Sequence, residues 1–321
     1  MTRVLVTGAT GFIGSMLCEA LARSGYRVRG ALRSDRSMPG ALAEKVIVGE
    51  INVTTDWTQA LQGVDAVIHT AARAHALHAG RAAADLYSAT NARGTQRLAS
   101  AAAQANVRRF VFLSSVKVNG EETRARAYTS LDTPQPQDDY ALSKWHAEQS
   151  LVAVAARSGM EAVVVRAPLV YGPRVRANFL RLLHWVERGW PLPLGAVRNT
   201  RSLVSIWNLC DFLLQVLKHP NASGATWMVS DGEDLSTPDL IRRVSTAMGR
   251  RARLFSMPVG LLRLFAGLSG RSGELARLCG SLAVDMTPAR IELGWSPRVS
   301  VDEALALTVA WYLNEGRSGD A

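Results

Sequence analysis

The 321 residues contain only three cysteines, Cys18, Cys210 and Cys279. They are isolated, odd in number and without metal-ligand spacing, which argues against a disulfide framework and against a zinc site. A reducing, cytoplasmic setting fits that usage. Long apolar runs are also missing. No stretch reaches the about 18 residues of a membrane span, and the longest candidate, Met257–Gly270, is interrupted by Arg263 and by glycines. Membrane insertion is therefore not expected. Thr2-Arg3 leads straight into Val4-Leu5-Val6 and a glycine turn, which reads as a strand rather than a signal peptide. Acidic residues are in deficit, 27 against 37 Lys plus Arg, for a formal charge of +10. That excess suits an anionic partner, or plain solubility. The arginines are scattered and no nucleic-acid motif accompanies them, so phosphate on a small molecule is preferred to nucleic acid. His75, His78, His184 and His219 show no metal spacing with carboxylates.

What is present is a globular composition, 48% hydrophobic and 20% charged, long enough for one large domain or two moderate ones. Short apolar strands alternate with amphipathic helices. Strands are expected at Arg3–Thr7, Arg27–Leu32, Lys45–Gly49, Ala66–Thr70, Arg109–Ser114 and Ala162–Arg166; helices at Gly14–Ser24, Asp85–Gln104 and Tyr140–Ser158. This alternation predicts an α/β fold, a Rossmann-type doubly wound parallel sheet with helices on both faces. After Val170-Tyr171-Gly172-Pro173 the pattern loosens and prolines punctuate it. The expected division is a dinucleotide-binding domain over 1–172 and a smaller C-terminal substrate lobe over 173–321, with part of 202–230 returning to the first domain.

The first strand ends in Thr7-Gly8-Ala9-Thr10-Gly11-Phe12-Ile13-Gly14. Glycine permits the tight turn and lets backbone N–H groups approach a pyrophosphate, while the helix beginning near Gly11 points its positive end at that charge. A glycine pattern is weak alone, but after a strand and opening a helix it marks a dinucleotide site built from Gly8, Thr10, Gly11, Phe12, Ile13 and Gly14. The end of the second strand usually carries the acid that holds the ribose 2′-hydroxyl of NAD. Here Gly30-Ala31-Leu32-Arg33-Ser34 lacks it, and Arg33 stands beside the slot. A guanidinium takes a 2′-phosphate bidentately, which favours NADP(H); an exposed arginine in an NAD(H) enzyme is the other reading. Glu50 and Ile51 flank the adenine, or form an ordinary loop.

Tyr140 and Lys144 are spaced i, i+4, on one helical face. A nearby ammonium favours phenolate over phenol, so Lys144 is expected to lower the Tyr140 pKa. A tyrosine so tuned hands a proton to a carbonyl oxygen or takes one from an alcohol. Ser115, closing the strand from Phe110, sits where its hydroxyl bonds the same oxygen.

With these pieces the sequence resembles an extended short-chain dehydrogenase/reductase of the nucleotide-sugar epimerase/dehydratase/4-keto-reductase group. The matching motifs are Thr7–Gly14, Val67-Ile68-His69-Thr70-Ala71-Ala72, Thr90-Asn91-Ala92-Arg93-Gly94-Thr95, Leu113-Ser114-Ser115 with Gly120, Tyr140–Lys144, Arg166–Gly172 and Leu293-Gly294-Trp295-Ser296-Pro297. They cover essentially the whole chain. The resemblance implies that Thr70, Ala71, Ala72 and Leu113 line the cofactor, that Asn91 braces the site, and that Pro168 and Val170 pack near the nicotinamide. It also implies that Ser115, Tyr140 and Lys144 are the catalytic trio. For the alanines and Pro168, core packing is the plainer role.

The family's dehydratases follow the catalytic Ser/Thr with an Asp-Glu pair. Here Val116-Lys117 follows Ser115, which disfavours dehydration. The missing acid and Arg33 then favour NADPH-dependent reduction of a C4 ketone. His69–His78 and Ser114–Glu121 resemble the subgroup acting on UDP-2-acetamido-2,6-dideoxy-4-keto-hexoses, which gives UDP-N-acetylquinovosamine or UDP-N-acetylfucosamine for surface polysaccharide. The alternative is an NAD-dependent UDP-hexose or UDP-N-acetylhexosamine 4-epimerase. A non-catalytic NADP-binding regulator is a third reading, opposed by the intact trio. In the substrate lobe, Asn178 and Phe179 resemble the family's UDP contact, and Pro193 and Leu194 the strand against which uracil packs. Arg201 and Arg277 are candidate pyrophosphate clamps, and Lys117 either meets the substrate or points to solvent. The resemblance also implies a homodimer through Asp85–Gln104 and Tyr140–Ser158.

Overall fold

The computed structural model describes residues 1–35, 42–74, 81–268 and 272–316. His75 and His78 lie outside the described residues. In chain order the first unit comprises β1 (Arg3–Thr7), α1 (Phe12–Arg23), β2 (Arg27–Leu32), β3 (Glu44–Ile47), the short α2 (Thr58–Leu61), β4 (Ala66–His69), α3 (Arg81–Tyr87), α4 (Gly94–Gln104), β5 (Arg109–Ser115), α5 (Asp139–Ser158) and β6 (Glu161–Ala167). β7 (Leu169–Tyr171), α6 (Ala177–Arg188), β8 (Leu203–Ser205), α7 (Ile206–Lys218) and β9 (Thr226–Met228) follow. The chain continues through α8 (Thr237–Ala247), α9 (Val259–Leu268), α10 (Ser272–Cys279), α11 (Thr287–Leu293) and α12 (Val301–Asn314).

β1, β4, β5 and β6 are buried on both faces, as near-continuous apolar runs must be in a parallel sheet covered by helices. Seven parallel strands run in the order β3-β2-β1-β4-β5-β6-β9. The order reverses direction between β1 and β4. A crevice at the carboxyl ends of the strands opens at such a switch point, where ligands bind in this architecture. α1 and α7 pack on one face with Leu17, Leu21, Phe212 and Leu213 in the core; Leu98 of α4 and Ala147 and Leu151 of α5 fill the other. β9 adds the last strand of this sheet beside β6, while β7 and β8 pair in a separate two-stranded sheet. The C-terminal lobe has its own core, in which α6, α8 and α12 bury Phe179, Leu183, Ile241 and Tyr312.

The single helix expected over Asp85–Gln104 is interrupted. A π-helical turn, Ser88–Arg93, separates α3 from α4. The wider turn admits one extra residue per winding, a distortion that recurs at functional sites. Here it falls at Asn91.

Candidate active site

The crevice at the switch point holds a cleft of about 750 Å³. It is lined by Gly8, Thr10, Gly11, Phe12, Ile13 and Gly14 of the first loop, and by Arg33, Glu50 and Ile51 at one end. Thr70, Ala71 and Ala72, just after β4, also line it, with Leu113, Ser115, Tyr140, Lys144, Pro168 and Val170 at the other end. The loop geometry is dictated by close approach. Gly8 has φ +69°, and a Cβ on Gly14 would lie 2.1 Å from the Gly8 carbonyl oxygen, so only glycine closes this strand-to-helix turn. Gly11 caps α1 without a side-chain bond, and the first turn carries no acid. Its orphan N–H groups therefore remain available to an anion. An uncapped helix end facing a cleft too close for any side chain fits a dinucleotide pyrophosphate.

Below the cleft a buried relay ties the elements together. Thr95 Oγ1 donates to the Asn91 carbonyl at 2.5 Å, so it accepts from His69 Nε2 at 2.9 Å. That leaves His69 Nδ1 as acceptor from Thr7 Oγ1 at 2.5 Å, and Thr7 Oγ1 in turn accepts from the Ala71 N–H. Burial and the neighbouring Lys144 charge push His69 down to about 3, so its ring is neutral and stacks on Phe112. Asn91 carries the relay to α5. Its side chain accepts from Arg73 N and donates to Arg73 O and Ser143 Oγ, and Ser143 donates to the Tyr140 carbonyl. His69, Thr7, Thr95 and Ser143 were not singled out from the sequence. His69 and Thr95 lie in the Val67–Ala72 and Thr90–Thr95 motifs, Thr7 in Thr7–Gly14 and Ser143 in Tyr140–Lys144, but only the fold shows that they meet. Asn91, expected to brace the site and counted with the cofactor-binding residues, is 1% exposed with its amide taken up by protein, and the neighbouring Thr90 lines the cleft.

Tyr140 and Lys144 lie on α5, which Asp138 caps by accepting from the Ala141 N–H at 2.7 Å. Burial governs both groups. It pushes the Tyr140 phenol up to about 12, with Asp138 and Tyr87 adding to the rise. It pulls Lys144 down to about 7, although Glu148 one turn on opposes the shift. The expected lowering of Tyr140 by Lys144 is therefore not found, and burial sets the direction upward. Lys144 sits 4.2 Å from the Phe112 ring centre. Beneath Ser115, Ser114 donates to Glu148, which is held by Arg166 at 2.6 Å, and Arg166 also reaches Asn119. This buried ion pair fixes β5, β6 and α5 in one register.

At the adenosine end, Arg33 Nη1 lies 3.1 Å from Glu50 Oε1. The guanidinium expected to take a 2′-phosphate already has a carboxylate beside it, which a phosphate would meet as a like charge.

A second, outer cleft of about 1050 Å³ adjoins α5's N-terminus, and Arg277, Arg124, Arg126 and Asp138 are among its lining. The other expected substrate residues are dispersed. Lys117 is held by Asp138 and, at 2.6 Å, by Glu121. Burial pulls its ammonium down, but those two acceptors outweigh it and raise the pKa. It neither points freely to solvent nor lines either cleft. Phe179 is 1% exposed and stacks on Tyr171, and Leu194 is 4% exposed in the same core, so both support the lobe rather than a ligand. Pro193 is half-buried and lines neither cleft. Asn178 is exposed on the first turn of α6, accepting from Arg181. Arg201 donates to the Arg277 and Gly280 carbonyls at 2.7 and 2.9 Å. It therefore fastens the chain that presents Arg277, and its Nη1 is already committed. Arg176, which the sequence reading passed over, lines the inner cleft.

The profile of the NAD dependent epimerase/dehydratase family matches residues 4–230. The chain belongs to that family. It is 40% identical over 314 residues to a UDP-glucose 4-epimerase of Vibrio cholerae, covering 97% of this chain and 95% of the relative. Among solved structures it is similar to MoeE5 in complex with UDP-glucuronic acid and NAD, at 26% identity and TM-score 0.79, covering 97% and 99% of the two chains. A UDP-glucuronic acid 4-epimerase from Bacillus cereus shares the fold, with 24% identity, TM-score 0.77 and coverage of 98% and 99%. Among the described residues no helix is long and apolar enough to cross a membrane.

Proposed function

We propose that this family member is an NAD-dependent 4-epimerase of a UDP-hexose or UDP-N-acetylhexosamine. The observation that carries the reading is that Ser115, Tyr140 and Lys144 line the same cleft as the Gly8–Gly14 loop, in a chain 40% identical over 97% of its length to a UDP-glucose 4-epimerase. NAD, held by the Gly8–Gly14 loop and α1's open end, supplies a hydride acceptor and donor. The chain's own residues handle the proton and the sugar. Tyr140 Oη takes the proton of the sugar's 4-hydroxyl and later returns it to the 4-keto oxygen. Ser115 Oγ hydrogen-bonds the same oxygen as charge develops on it. Lys144, near its midpoint at neutral pH, gains or loses a proton beside Tyr140 without leaving its buried position. Arg277 and the arginines of the outer cleft offer charge to the diphosphate. Inversion requires the 4-keto sugar to turn over while it stays bound.

A second reading, NADPH-dependent reduction of a UDP-4-keto sugar, rests on Arg33 and on the absent acid at the end of β2. Glu50 beside Arg33 weighs against it. Purified enzyme given UDP-glucose or UDP-N-acetylglucosamine without added nucleotide should form the C4 epimer, and Tyr140→Phe should abolish this while retaining NAD. Failure to epimerise, with consumption of NADPH on a UDP-4-keto-6-deoxy-N-acetylhexosamine, would overturn the epimerase reading in favour of the reductase.

A further inference from the structure

α9 does not hide its apolar side. Leu261, Leu264, Phe265 and Leu268 are 47%, 58%, 57% and 79% exposed. At about 100° per residue these four fall within one arc of the helix, while Leu262 and Ala266, buried against the lobe, occupy another. A satisfied surface helix would present polar residues there. The charge along this stretch of chain is of one sign. From Arg250 to Leu268 the chain has four arginines, Arg250, Arg251, Arg253 and Arg263, all exposed, and no carboxylate. Phe255, 45% exposed, lies in the same stretch and pairs through its backbone with Leu192.

We propose that α9 and the arginines before it dock this protein on an anionic lipid surface. A ten-residue helix, about 15 Å long, cannot cross a hydrocarbon core of about 30 Å, but it can lie in the headgroup boundary with its apolar arc inward. Arginines beside it meet anionic headgroups. A second copy is a poorer occupant, because a two-fold contact would set these arginines against their own counterparts. Docking also has a geometric consequence. α10 packs on α9 and contributes Ala276 and Arg277 to the outer cleft, so that cleft would open beside the bilayer. The proposal is independent of which sugar is turned over.

The test is co-sedimentation of the full chain, with its nucleotide, on vesicles of phosphatidylglycerol and phosphatidylcholine against phosphatidylcholine alone. Binding is expected at least about tenfold tighter to the anionic vesicles and to be released by about 0.5 M salt. A Leu264→Glu/Phe265→Glu variant should lose that binding while keeping its bound nucleotide and its elution volume. Because that variant alters the helix, Arg251→Gln/Arg253→Gln/Arg263→Gln provides an independent probe, expected to lose the preference for anionic lipid with the apolar arc intact. No binding to phosphatidylglycerol vesicles, or undiminished binding by both variants, would overturn the proposal. So would a dimer that the glutamate variant converts to monomer, since a second copy would then cover the face.

Discussion

Lys144→Met isolates the electrostatics of the site. Lys144 is 2% exposed, and burial brings its pKa from the ordinary lysine value of about 10.4 down to about 7. Between those two values the unfolded chain holds a proton that the folded chain does not. Stability therefore rises with pH across this window, by about 1.4 kcal/mol per unit, and below pH 7 the buried ammonium costs up to about 5 kcal/mol. Methionine has similar length and no charge. Urea unfolding of nucleotide-free wild type and variant, in steps from pH 7.5 to 9.5, should show the variant's advantage shrinking by about 2–3 kcal/mol as pH rises. Turnover should be lost at every pH. A stability difference that stays constant over that range would mean that Lys144 titrates normally, and the account of the buried amine would be wrong.

Gly14→Ala places a Cβ 2.1 Å from the Gly8 carbonyl oxygen; titration of NAD by intrinsic fluorescence should show affinity reduced at least about tenfold or the protein unfolded. Asn91→Ala strands the Arg73 N–H and the Arg73 carbonyl, at about 1–3 kcal/mol for each buried group left unpaired, and should appear as a lowered thermal midpoint with a larger proportional loss of kcat than of KM. Glu50→Gln removes the carboxylate beside Arg33, so the ratio of NADP to NAD affinity should rise several-fold by calorimetry; an unchanged ratio would show that Arg33 does not face the ribose.

Much of this molecule was legible in local pattern. β1 matches the expected Arg3–Thr7, and the other five expected strands agree to within a residue or two, because apolar runs between turn residues have one stable solution in a covered parallel sheet. Tyr140 and Lys144 share a face because helical period places i and i+4 together. The π turn was not legible, since Ala-rich sequence over 85–104 favours a plain helix and Asn91, inside the wider winding, bonds Arg73 from a distant part of the chain.

The sequence by itself thus determined the doubly wound fold, the glycine turn and the residues that meet at the cleft, since each follows from steric limits or repeat period within a few neighbouring positions. Tertiary structure alone decided the rest. It turned Phe179 and Leu194 into the lobe's core, engaged Lys117 with two acids and Arg201 with two carbonyls, and built the His69 relay from four separate segments. It also reversed the electrostatic expectation at Tyr140. Desolvation depends on what packs around a group from distant parts of the chain, and that neighbourhood exists only once the chain has folded.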